Sequence, residues 1–108
     1  MKKVFLVESD PLQLAAWETR LKDSSWTLYS LKNMDDFDFR FSDFDPDVLV
    51  LGQTFGSGVA FEQATEKTTQ IPVYVLAFSS DEVHPSSKLL EKPIDLGSLP
   101  DILEGLLN

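Results

Sequence analysis

The stretch "DPDVLVLGQTFGSG", residues 45–58, sets the architecture of the chain. Val48 to Leu51 is apolar at every position, the pattern of a strand covered on both faces rather than one lying with one face in water. The glycine-rich "GQTFGSG" (52–58) then reads as a loop, with Gly58 and Val59 turning the chain into a helix over 59–67. Its glycines resemble a phosphate-cradling loop. No lysine follows in GxxxxGK[ST] spacing, so a nucleotide site is not expected there.

The same alternation repeats on either side. Lys3 to Val7 is a short apolar run bounded by polar residues, a buried strand. A helix over Pro11 to Lys22 follows, with Leu14, Trp17 and Leu21 on one face, Asp10 as N-cap and Pro11 at the first helical position. Trp26 to Leu31 is a second strand. Residues 34–44 carry two signals: Phe37, Phe41 and Phe44 share a helical face, while "DFDFRF" alternates like a strand. A short helix is preferred, because parallel strands need a crossover between them. Ile71 to Phe78 and Lys88 to Glu91 are the fourth and fifth strands. A final helix over 96–107 carries Leu96, Leu99, Leu103 and Leu106 on one face; either Asp95 or a Ser98–Asp101 capping box starts it. The expectation is one α/β domain over residues 1–108, a doubly wound parallel sheet of five strands.

Composition removes whole classes of function. The 108 residues include no cysteine, which excludes disulfides, zinc thiolate sites and cysteine nucleophiles. The N-terminus is interrupted by Glu8 and Asp10 too soon for a signal peptide, and no apolar run is long enough to span a bilayer, so a cytoplasmic protein is expected. Eighteen acidic against nine basic residues give a net charge of −9, which repels nucleic acid and anionic membranes. Seven aspartates lie between residues 23 and 47 (Asp23, Asp35, Asp36, Asp38, Asp43, Asp45, Asp47) and read as a solvated face or a docking surface for a basic partner. His84, in "EVHPSS", is the one histidine and reads as an exposed loop residue.

Doubly wound sheets bind ligands outside the carboxyl ends of their strands. In this sequence those ends carry Glu8, Ser9 and Asp10; Gly52; Ala77 and Phe78; and Lys92 with Pro93. The order "FLVESDP", "DPDVLVLG", "IPVYVLAFSSDE", "LLEKPIDLGSL" resembles a response-regulator receiver domain along nearly the whole chain. The resemblance implies a flavodoxin-like fold with strand order 2-1-3-4-5 and a cis bond before Pro93.

It also implies a phosphorylation pocket, and most of that pocket is replaced. Glu8 matches the first acid of the family's metal-binding pair, but Ser9 stands at the second. Gly52 stands at the phosphoacceptor aspartate and Ala77 at the Thr/Ser position; only Glu8 and Lys92 match. A carboxylate nucleophile is needed for acyl phosphate chemistry, and glycine has no side chain. Magnesium is usually held by one or two carboxylates, and Asp10 is better spent as a helix cap. The sequence resembles a degenerate receiver, with no metal, cofactor or catalytic residue expected and with Lys92 turned toward Glu8 or Asp10.

A second departure concerns the fourth helix. Residues 79–87, with Pro85 among them, are too few for a helical crossover, so that helix is expected to be shortened or absent. The gap either exposes part of the sheet or is sealed by Phe78 and Val83. The first alternative places a docking surface for a protein partner, or for a second copy, on Val83, Leu90, Leu96 and Leu99. These observations point to a phosphorylation-independent interaction module in a bacterial signalling pathway. The alternative is an atypical receiver governed by a small anion at Lys92 or by unconventional phosphorylation.

Overall fold

The computed structural model describes residues 2–66, 68 and 70–107. Strand β1 (Lys2–Val7) leads through helix α1 (Pro11–Leu21) to β2 (Trp26–Leu31), then through α2 (Phe37–Phe44) to β3 (Val48–Gly52). A single 3-10 turn, Gln53–Phe55, precedes α3 (Gly58–Glu66), which leads to β4 (Val73–Ala77). β5 (Lys88–Glu91), a 3-10 turn at Leu96–Ser98 and α4 (Leu99–Leu106) complete the chain. The expected end of α3 at Lys67 lies outside the described residues. All strands are parallel, in the order β2-β1-β3-β4-β5.

Successive residues of β1 and β3 point to opposite faces, and both faces are dry. Val4, Leu6, Val48 and Val50 pack under α1 and α4 with Trp17, Leu21, Leu99 and Leu103. Phe5, Val7, Leu49 and Leu51 pack under α2 and α3 with Phe37, Phe41 and Phe61. This second layer is aromatic: the Phe5 ring meets Tyr29, Phe37 and Phe41 at centroid separations of 5.3, 5.6 and 5.5 Å. That cluster decides the ambiguous "DFDFRF" in favour of helix. Phe37 and Phe41, four apart, share a helical face and reach Phe5, while Phe39 is 67% exposed. Asp36 and Asp45, at φ 60° and 52°, bracket this helix, and aspartate is among the residues that tolerate the left-handed region.

Helix α1 starts as expected: Asp10 Oδ1 accepts from the Leu12 amide at 2.9 Å, with Pro11 in the first turn. At the C-terminal end, Asp95 is the cap. Its Oδ1 accepts from the Gly97 amide at 3.1 Å and its Oδ2 from the Ser98 hydroxyl at 3.0 Å, and the Ser98 side chain caps nothing. β4 is shorter than the expected 71–78: Ile71 and Pro72 lie before the ladder, and Phe78 leaves it half-exposed.

No helix separates β4 from β5. Residues 78–87 form turns held by Asp81 N–H to Phe78 O at 3.0 Å, and by His84 N–H to Gly56 O at 2.9 Å. The loop covers part of the gap and leaves Leu89 and a groove beside Phe61, Val73, His84 and Lys88 open to solvent. Val83 packs on the aromatic layer, and the His84 ring lies 4.4 Å from the Phe61 ring at 15°. His84 is therefore a half-buried packing residue rather than a solvated loop residue. No described helix is long and apolar enough to cross a membrane.

Candidate functional site

The crevice at the carboxyl ends of β1 and β3 is built by register. Val7 lies opposite Leu51, so the next residues out, Glu8 and Gly52, stand side by side. Glu8 continues the β1 ladder through its amide, which donates to Leu31 O at 2.9 Å, and its side chain turns inward until the residue is 4% exposed. One carboxylate oxygen, Oε1, accepts from the Asp10 amide at 3.0 Å; the other, Oε2, is buried without a hydrogen-bond partner.

That carboxylate fills the space a side chain at position 52 would need. A Cβ built on Gly52 would lie 2.5 Å from Glu8 Oε2 and 2.8 Å from its Cδ. The two positions are coupled: glycine at 52 makes room for the inward glutamate, and any side chain at 52 requires the Glu8 carboxylate to move. Register arithmetic on the sequence would place these residues together, but it does not show that one occupies the other's volume.

Of the other expected positions, Ser9 is exposed and Asp10 is spent on the α1 cap. Ala77 is fully buried at the end of β4, and its carbonyl accepts from the Lys92 amide at 2.8 Å. The Lys92–Pro93 bond is cis, as the resemblance implies, and Pro93 is exposed.

The Lys92 side chain does not meet the expected partner. Its ammonium stands over the Phe78 ring, 5.8 Å from the centroid, and among the described residues it forms no ion pair with Glu8 or Asp10. Desolvation explains the choice. Pairing with Glu8 would bury both charges, a penalty of several kcal/mol per ion, whereas a half-exposed ring attracts the ammonium while water still reaches it. Phe78 is 50% exposed and sits directly after β4, a partner that the motif-based reading of Lys92 overlooked.

The fold family implies magnesium, and the residues present do not fit it. Among the described residues Glu8 is the one buried carboxylate; its Oε1 is bonded to a backbone amide and its Oε2 is pressed against Gly52. Among the described residues no group of three or more His, Asp or Glu converges as metal ligands.

The expected docking leucines are also misplaced. Leu90 is buried beneath the α1 and α4 layer, Leu99 is buried as the first residue of α4, and Val83 and Leu96 are half-buried against the two core layers. The strand alternation puts Leu90 inward and Leu89 outward, and the covering loop uses Val83 to close the gap. Among the described residues the exposed large apolar side chains are Leu12, Phe39, Val59, Phe78 and Leu89.

No protein-family model and no curated protein sequence matches the chain. Solved structures do. The N-terminal domain of the nisin resistance regulator NsrR, a lantibiotic response regulator, aligns with TM-score 0.78 and 23% identity over 100% of this chain and 99% of that one. The Vibrio cholerae chemotaxis protein CheY4 gives 0.74 and 17% over 99% of each chain. The receiver domain of the TMAO respiratory system response regulator TorR gives 0.78 and 14%, covering 99% and 97%. The chain thus has the receiver fold, with its five-stranded parallel sheet in the order 2-1-3-4-5.

Proposed function

We propose that this chain is a receiver-like module of a bacterial signalling pathway that works in the cytoplasm through protein contacts and needs no phosphorylation. One observation carries the reading: the Glu8 carboxylate lies where a phosphoacceptor side chain would begin, against a Gly52 that offers no nucleophile. With Ser9 exposed and Asp10 capping α1, no second carboxylate joins Glu8 to hold a divalent ion. No nucleophile and base are paired at the crevice, and the module is not an enzyme. The anionic-ligand alternative finds less support, because an anion drawn to Lys92 would enter beside an unpaired, buried carboxylate oxygen.

The test is incubation with acetyl phosphate and magnesium, followed by intact-mass measurement. The expected result is an unchanged mass for the native chain and for Gly52→Asp alone. A stable adduct of one phosphoryl group on the native chain would overturn the reading.

A further inference from the structure

The two outer strands of the sheet are protected very differently. β5 is four residues long and carries Lys88 and Glu91, and charged side chains on a short strand are the usual guard against edge-to-edge pairing. β2 is six residues long, "WTLYSL", with no charge, proline or glycine, and it pairs with β1 through all six positions without a bulge. Its inner side is occupied by β1; among the described residues no strand lies on its outer side. Beside that open side a groove of about 500 Å³ runs between α1 and β2, lined by Glu18, Leu21, Lys22, Trp26, Leu28 and Ser30 among others. The Trp26 indole N–H is buried there without an acceptor. A buried donor left unpaired is costly.

We propose that the outer side of β2 pairs antiparallel with β2 of a second copy of this chain, joining two five-stranded sheets across a two-fold axis. Geometry restricts the register. Residues opposed in an antiparallel pair project to the same face, so a two-fold normal to the sheet must pass through a residue opposed to its own copy. Centring on Thr27 sets Lys32 against Lys22 of the second copy, and centring on Tyr29 sets Trp26 against Lys32. Centring on Leu28 matches like with like. Leu28 meets Leu28, Thr27 meets Tyr29, and Ser30 of each copy stands beside Trp26 of the other. Lys32 then falls against Ser24 and next to Asp23 of the second copy, so opposite charges meet at both ends of the joint strand.

The net charge of −9 on each copy opposes approach. Salt screens that repulsion, with a Debye length of about 30 Å at 0.01 M and about 8 Å at 0.15 M. Self-association that strengthens with salt is therefore the expected signature, the reverse of pairing with a basic partner.

Sedimentation of the full chain over a concentration series, at low and at moderate salt, tests the proposal. The expected result is a monomer–dimer equilibrium shifted toward dimer by salt. Ser30→Lys, which places a charge on the open side, should weaken the dimer by at least about tenfold, and Leu89→Lys at the opposite edge should leave it unchanged. A monomer at every concentration and salt overturns the proposal, as does a dimer that Leu89→Lys removes and Ser30→Lys keeps. Should Ser30→Lys fold poorly, hydrogen exchange of the native chain decides. Outward β2 amides slowed at high concentration and released on dilution support the pairing; β2 amides indifferent to concentration, or slowed only by another protein, refute it.

Discussion

The interiors of the strands and their carboxyl ends have diverged in this molecule. Inside the sheet, β1, β3 and β4 pair in parallel and pack side chains into the core on both faces. At the ends of the same strands stand an inward Glu8, a bare Gly52 and a lysine resting on Phe78, which on the function proposed above take the place of a phosphorylation switch. Folding free energy is held by the interior, and the ends contribute little to it. Residues at the strand ends can therefore change while the architecture stays, provided the replacements pack against one another.

The largest expected effect tests the interior side of that contrast. Phe5→Ala removes a fully buried ring in contact with Tyr29, Phe37 and Phe41, and should destabilise the domain by about 3–5 kcal/mol in urea unfolding. Ser9→Ala, at the exposed end of the same strand, should stay within about 0.5 kcal/mol of the native chain. Comparable losses from the two substitutions would show that the strand end contributes to folding as much as the interior does.

A middle-sized effect tests whether the two replacements at the crevice are one feature. Gly52→Ala places a Cβ 2.5 Å from the buried Glu8 carboxylate and should destabilise by about 1–3 kcal/mol, the range for overpacking. In a Glu8→Ala background the same substitution meets no carboxylate, and the loss should shrink. A double-mutant cycle should therefore give a coupling of about 0.5–3 kcal/mol, the range for residues in direct contact. Additive losses would mean that glycine at 52 and glutamate at 8 are unrelated.

The sequence disclosed the interior far better than the ends, for a physical reason. Burial on both faces leaves an all-apolar run, so Val4–Val7 and Val48–Leu51 announce central strands, and the lengths between them announce the crossovers. The missing crossover helix was legible in the same way, as a segment too short to hold it. Side-chain direction at an end is set by competition between neighbours. Glu8 could have paired with Lys92, but the exit of the chain after β4 put Phe78 within reach of the ammonium instead. Face was equally underdetermined in β5. A strand of two adjacent leucines fits either register, and it is Leu90 that turns inward while Leu89 stays 42% exposed.

The smallest expected effect lies where the chain replaced a whole element rather than a side chain. The loop over residues 78–87 does the covering work of a crossover helix with two anchors, Val83 on the aromatic layer and His84 stacked on Phe61. The histidine ring is held from behind as well: its Nδ1 lies 2.7 Å from the Ser86 hydroxyl, and its amide donates to Gly56 O at 2.9 Å. Ring stacking of this kind contributes about 0.5–1.5 kcal/mol beyond area, so His84→Ala should lower global stability by an amount in that range. The local effect should be larger than the global one. With the ring gone, Val83 and the backbone bond to Gly56 O are left to pin the loop, and amides of residues 79–87 should exchange measurably faster while those of β1 and β3 are unchanged, because loops open with a smaller free energy than the core. His84→Phe keeps the stack and should restore the slow exchange. Fast exchange that persists in His84→Phe would assign the closure to the hydrogen bonds of the loop rather than to the ring.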